Sequence, residues 1–174
     1  RFVIDVQGKQ SHGSSPWLGI DPIVVSSQII SGLQTIISRN SELTKQAAVI
    51  SVGSIHSGIR FNIIPESVQM IGTIRTLDND MKEIIRNRMN ELVTGIALSY
   101  GATATVKITD GASVTYNDPK LTKMMLPTLQ KVALSENVIL SDAVTGAEDF
   151  SYFQEKIPGL YFFIGGTPLS TPEK

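Results

Sequence analysis

His12 lies in Gly8-Lys9-Gln10-Ser11-His12-Gly13-Ser14-Ser15-Pro16-Trp17, a polar run rich in glycine and serine. Small neighbours let a ligand or a second backbone approach the ring closely. An imidazole presented this way can donate to the oxyanion that develops when a carbonyl is attacked. The competing reading is a ring that only bonds a loop carbonyl, and residue pattern alone favours neither. His56 follows an apolar run and reads as ordinary surface or rim chemistry. Asn62 sits in Ser57-Gly58-Ile59-Arg60-Phe61-Asn62-Ile63-Ile64-Pro65. Its carboxamide can donate to and accept from a bound amide or carboxylate, although asparagine before a proline-limited strand commonly serves a turn. Arg75, in Gly72-Thr73-Ile74-Arg75-Thr76, is an anion contact or a solvated strand residue. Glu148 and Asp149 are candidate general-base or metal carboxylates. Against that, adjacent side chains seldom converge on one ion, and acids gather at helix starts for electrostatic reasons alone. Trp17 reads as a packing aromatic.

Other chemistries find no support. The two histidines lack zinc-motif spacing, and no His-Glu-x-x-His occurs. The glycine turns lack the lysine and spacing of a phosphate loop, and no serine-centred nucleophile elbow is present. There are no cysteines, which removes disulfides and thiol catalysis. Fifteen basic against 16 acidic residues leave a net charge of -1 and no field to steer a polyanion. Aromatics are not interleaved with lysine or arginine, so no nucleic-acid partner is expected. No run approaches the roughly 20 apolar residues that span a bilayer, so no membrane partner is expected either. The compartment stays open. The cytoplasm is the working expectation, and a secreted or periplasmic site remains allowed because a chain beginning Arg1-Phe2 lacks an initiator.

The elements that must position these residues follow from hydrophobic period. Residues 2–7 alternate as a strand. Asp21-Pro22 is a cap followed by proline at the first helical position, and Val25, Ile29, Leu33 and Ile36-Ile37 form the apolar stripe behind it. Gly32 interrupts that stripe at roughly 1 kcal/mol relative to alanine, either for close contact with a sheet or simply tolerated. Residues 47–55 and 67–76 read as strands. A second helix is predicted to start near Asp80, with Glu83 completing a capping box and Met81, Ile84-Ile85, Arg88-Met89, Leu92 and Ile96 on its periodic face. Gly101 stops it before a strand over 102–108. The order strand, helix, strand, strand, helix, strand predicts an α+β, ferredoxin-like unit: a four-stranded antiparallel sheet with both helices on one face.

Composition shifts after Asp110-Gly111-Ala112-Ser113. Asp118-Pro119 repeats the helix start, with Leu121, Met124-Met125, Leu129 and Val132 apolar and Pro127 predicted to kink the helix. Residues 147–150 predict a short helix with Glu148 and Asp149 in its first turn, and 160–164 a buried strand ending at Gly165-Gly166. These elements are too few to close an α/β layer and are expected to belong to a larger domain.

Several of these stretches together resemble the M20 family of metal-dependent peptidases and amidohydrolases, in the hippurate-hydrolase-like branch that hydrolyses N-acyl amino acids and related amides. They are Ser11-His12-Gly13 with Pro16, Gly19-Ile20-Asp21-Pro22-Ile23, Gly58 with Asn62-Ile63-Ile64-Pro65, Gly72-Thr73-Ile74-Arg75-Thr76, and Gly146-Ala147-Glu148-Asp149-Phe150-Ser151. The resemblance covers essentially the whole chain. It implies a lid or dimerisation domain over 1–113 and part of a zinc-peptidase-like catalytic domain over 114–174. It further implies that His12 supports the oxyanion, often across a dimer, and that Asn62 contacts substrate. Gly58, Arg75, Glu148 and Asp149 join Asn62 as expected substrate contacts, the last two as the acidic turn near the cleft. The parent would bind two divalent metal ions (zinc, manganese, nickel or cobalt) and pair as a homodimer, with a small N-acyl amino acid or peptide-like substrate. The segment carrying the early metal ligands and catalytic glutamate is absent from this chain, so it is expected to hold no metal and to be inactive alone. Trp17 stands where the branch commonly has a second histidine. The alternative is a non-catalytic ferredoxin-like binding or oligomerisation module.

Overall fold

A computed structural model describes residues 1–166; residues 167–174, the end of the expected 114–174 segment, lie outside the described residues. The chain divides into two compact units, Arg1–Gly111 and Ala112–Lys174.

The first unit runs β1 (Phe2–Gln7), β2 (Ser11–His12), α1 (Pro22–Thr35), β3 (Ala48–Ser57), β4 (Ile63–Ile64), β5 (Ser67–Thr76), α2 (Asn79–Ser99) and β6 (Thr103–Ile108). The four long strands form one sheet in the order β3-β5-β1-β6, every pair antiparallel. This is the ferredoxin-like arrangement the element order predicts. Alternation decides which face is covered: Phe2, Ile4 and Val6 of β1 are buried while Asp5 and Gln7 are exposed. Val68 and Met70 of β5 and Ile50 of β3 join them, together with Val25, Ile29 and Leu33 of α1 and Ile85, Met89 and Val93 of α2. Both helices therefore share one sheet face. Each such side chain contributes about 1.5–3 kcal/mol by burial, against about 1 kcal/mol for a helix cap, so the shared core holds the unit.

The helix starts are local. Asp21 accepts from the amides of Ile23 (2.8 Å) and Val24 (3.3 Å) with Pro22 behind it. For α2 the cap is Asp78 rather than Asp80: Asp78 has extended backbone and its Oδ1 accepts the Met81 amide at 2.7 Å. Asp80 falls inside the first turn, where it answers the helix dipole but leaves no capping box with Glu83. The buried column of α2 is Met81, Ile85, Met89, Val93 and Ala97, at strict four-residue spacing, and Ile84 is left 47% exposed. Gly101, at φ +76°, ends the helix. Gly32 permits close approach of the two helices rather than of helix and sheet. A Cβ there would lie 2.8 Å from Ile96 Cδ1 and 3.0 Å from Leu92 Cδ2.

The second unit contains α3 (Pro119–Ala133) and α4 (Ser151–Gln154). Asp118 caps α3 through the Leu121 amide at 2.7 Å, and the helix runs on through Pro127. Its half-buried side is Leu121, Met125 and Leu129; Met124 and Val132 are exposed, contrary to the predicted stripe. Glu148 and Asp149 precede α4 instead of occupying its first turn. Residues 160–164 form no strand among the described residues, and Phe162, Phe163 and Ile164 are exposed. An apolar run becomes a strand only where a neighbour pairs its backbone. Here the side chain of Asn117 stands in for one at a single residue, donating to the Tyr161 carbonyl (2.8 Å) and accepting its amide (2.6 Å).

Candidate functional site around His12 and Asn62

The loop bearing His12 is closed at its base. Lys9 and Ile20 exchange both backbone hydrogen bonds at 2.9 Å, an isolated antiparallel bridge. Glycine is required on both sides of it. At Gly8 a Cβ would run into the Ile20 carbonyl, and at Gly19 it would lie 2.5 Å from Ser11 Oγ and 2.6 Å from the Lys9 carbonyl. Neither carbonyl can yield without breaking the bridge. Gly19→Ala is therefore expected to open the loop at a cost of about 1–3 kcal/mol. Amide hydrogen exchange at Lys9 and Ile20 should accelerate while Ile4 in β1 stays protected. Unchanged exchange at Lys9 and Ile20 would show that the loop closes by other means.

Inside the loop, β2 pairs with β4: Ser11 opposes Ile64 and His12 opposes Ile63. The ladder is extended when the Gly13 amide donates to the Asn62 carbonyl at 2.8 Å. His12 and Asn62, remote in sequence, thus stand side by side, both exposed. A tight turn follows, with the Ser15 amide donating to the His12 carbonyl at 2.8 Å. The imidazole is tied on one side only. His12 Nδ1 lies 2.7 Å from Ser14 Oγ and accepts the Ser14 backbone N–H at 3.2 Å. Neither Nε2 nor the Asn62 carboxamide has a hydrogen-bond partner among the described residues. The imidazole and the carboxamide occupy adjoining ladder positions, and each is an exposed group able to bind a polar atom of a small molecule.

The other candidates are distributed. Gly58 has φ +71° with nothing near its missing Cβ, so it sets the left-handed turn leading toward Asn62. Arg75 is not brought to the pair. It lies near the end of β5, roughly 25 Å along the strand from Ser67, and is half-buried opposite Val49. His56 is exposed on β3 opposite Gln69. Trp17 is 76% exposed, not packed; it rides a short 3-10 turn, Pro16–Leu18, with no buried residue. In the second unit, partial burial and then the neighbouring Glu148 carboxylate raise the Tyr161 phenol above its ordinary range. The sequence reading missed the β2–β4 ladder and Ser14. Their only signals were the His12-x-Ser14 spacing and the Ile63-Ile64 pair before Pro65.

Among the described residues no three or more His, Cys, Asp or Glu side chains gather as a metal site, and no helix is long and apolar enough to cross a membrane. Residues 1–101 match the family model of the M20 peptidase dimerisation domain. The chain belongs to the M20 peptidase family. This M20 chain is 41% identical to thermostable carboxypeptidase 2 of Saccharolobus solfataricus over 165 residues, covering 94% of the chain and 41% of that protein. It is 36% identical to N-acetyl-L-cysteine deacetylase of Bacillus subtilis, covering 95% of the chain and 39% of the relative. Among solved structures it is similar to the YXEP protein of Bacillus subtilis, described as a dinuclear metal-binding peptidase of the M20 family. That match has a TM-score of 0.69 and 30% identity, and covers 91% of this chain and 38% of the other. The M20 chain thus spans about two-fifths of the length of the curated relatives it matches.

Proposed function

We propose that this chain is the lid and part of the base of a metal-dependent amidohydrolase that cleaves the amide bond of N-acyl amino acids or related small amides. Residues 1–113 form the lid, which pairs as a homodimer, and 114–174 belong to the catalytic domain. The observation that carries this reading is the His12–Asn62 pair, held by β2 and β4 inside an M20 dimerisation domain.

The reaction adds water across a C–N bond and releases a carboxylate and a free amine. As the carbonyl is attacked, negative charge grows on its oxygen. His12, donating from Nε2, stabilises that charge more than it stabilises the ground state, which is the condition for accelerating the step. Asn62 holds a second polar group, the amide or the carboxylate of the amino-acid half. Gly58 shapes the turn that presents Asn62. Glu148 and Asp149 line the catalytic cleft on this reading, and Arg75 lies outside the His12–Asn62 pair.

The described residues do not fit a pair of divalent ions, since they offer no cluster of ligands. Such ions, zinc, manganese, nickel or cobalt, would activate the attacking water when bound. Their ligands are expected in the parts of the relatives that this chain does not span, and the chain alone is expected to be inactive.

The test is hydrolysis of a panel of N-acyl amino acids by the full-length enzyme, with divalent metal removed and restored. Release of free amino acid is expected to vanish on chelation and return with metal. A folded, metal-loaded protein that turns over none of the panel would instead support a non-catalytic pairing module.

A further inference from the structure

We propose that Ser14 is a positioning residue that fixes the tautomer of His12, an inference that rests on His12 acting as the oxyanion donor. Two groups of Ser14 converge on Nδ1: the backbone N–H, which donates at 3.2 Å, and the hydroxyl at 2.7 Å. A backbone N–H can only donate, so the nitrogen it faces must carry a lone pair. The proton of the neutral ring is then on Nε2, and the Ser14 hydroxyl is turned to donate as well. The backbone donor is itself held in place. The Ser15 amide closes the turn on the His12 carbonyl, and the Gly13 amide is tied to the Asn62 carbonyl, both at 2.8 Å. Ring orientation and proton position are thereby set before any substrate arrives. An imidazole with its proton on Nδ1 would offer the developing oxyanion a lone pair and repel it. The same ladder that brings Asn62 to His12 also points the donor outward, so orientation and adjacency come from one piece of backbone.

The chain contains only two histidines, and exposed His56 makes no side-chain hydrogen bond among the described residues, so it serves as an internal reference. Ring-nitrogen NMR of the 15N-labelled chain is recorded at alkaline pH, above the ordinary imidazole range. His12 is expected to show one tautomer, with the proton on Nε2, against the averaged pattern of His56. Ser14→Ala removes the hydroxyl but keeps the backbone N–H, so it should move the His12 nitrogens part of the way toward the His56 pattern, and Ser14→Thr should keep them in place. In the full-length enzyme Ser14→Ala should lower kcat by about 3- to 10-fold with KM nearly unchanged, the scale of one neutral hydrogen bond, and Ser14→Thr should restore it. Wild-type His12 signals that match His56, or that do not move in Ser14→Ala, would overturn the assignment. If the NMR result holds while kcat is unaffected, the positioning stands and the oxyanion role of His12 falls.

Discussion

Replacing His12 with alanine in the full-length enzyme is expected to lower kcat by about 10²–10³-fold, the usual cost of removing one oxyanion donor. KM should change little, because the interaction strengthens mainly as charge develops on the carbonyl oxygen. Folding should not confuse the result. The ring is exposed and its hydrogen bonds among the described residues go only to Ser14, while the ladder that places it is backbone to backbone. On the proposed reading dimerisation should likewise persist. Steady-state kinetics on the purified variant, with sedimentation to confirm its oligomeric state, checks both points. Normal turnover in an intact dimer would remove His12 from the chemistry and return it to the role of a loop histidine.

Gly72→Ala is expected to be the most damaging single-methyl change in the first unit. Gly72 lies opposite Phe2 in the β1–β5 ladder and opposite Val52 in the β3–β5 ladder. A Cβ at Gly72 would clash with the edge of the Phe2 ring, at Cζ and with Cε1 only 2.7 Å away, and with the Ser51 carbonyl oxygen. The ring is wholly buried in the shared core and the carbonyl belongs to the neighbouring strand. Neither can retreat without opening the sheet. Overpacking of this kind costs about 3 kcal/mol, the upper end of the usual range, which lowers Tm by roughly 12–24 °C in a domain of this size. Gly95→Ala makes the contrasting control. Its Cβ would meet nothing within 4 Å on α2, so it should gain about 0.5–1 kcal/mol from helix propensity. Thermal unfolding of the two variants should move in opposite directions. Similar small shifts in both would show that the sheet relaxes around residue 72.

Much of the first unit was legible because its signals are local. The alternation of Phe2, Ile4 and Val6, the Asp21-Pro22 start and the Gly101 stop each depend on a few neighbouring residues, and the structure uses all of them. The exchange of Asp80 for Asp78 as cap is a two-residue error. Several acids cluster there, and only the backbone geometry after Thr76 decides which one is extended. The second unit read less well. A run such as 160–164 has strand composition, but a strand is defined by its partner, and composition cannot supply one. Trp17 likewise looks like core by residue type and is exposed in the fold.

By itself the sequence determined the ferredoxin-like order of the first unit and singled out His12 and Asn62 as residues able to do chemistry. It did so because hydrophobic period, caps and side-chain functional groups are properties of short stretches. Only the tertiary structure decided that His12 and Asn62 adjoin, that Arg75 lies in the other sheet, and that the backbone N–H and hydroxyl of Ser14 both meet Nδ1 of the imidazole. A two-residue ladder such as β2–β4 carries no periodic signal. It exists because the chain is closed at Lys9 and Ile20 and turned at Gly58, and those contacts cross distances in sequence that no local pattern spans.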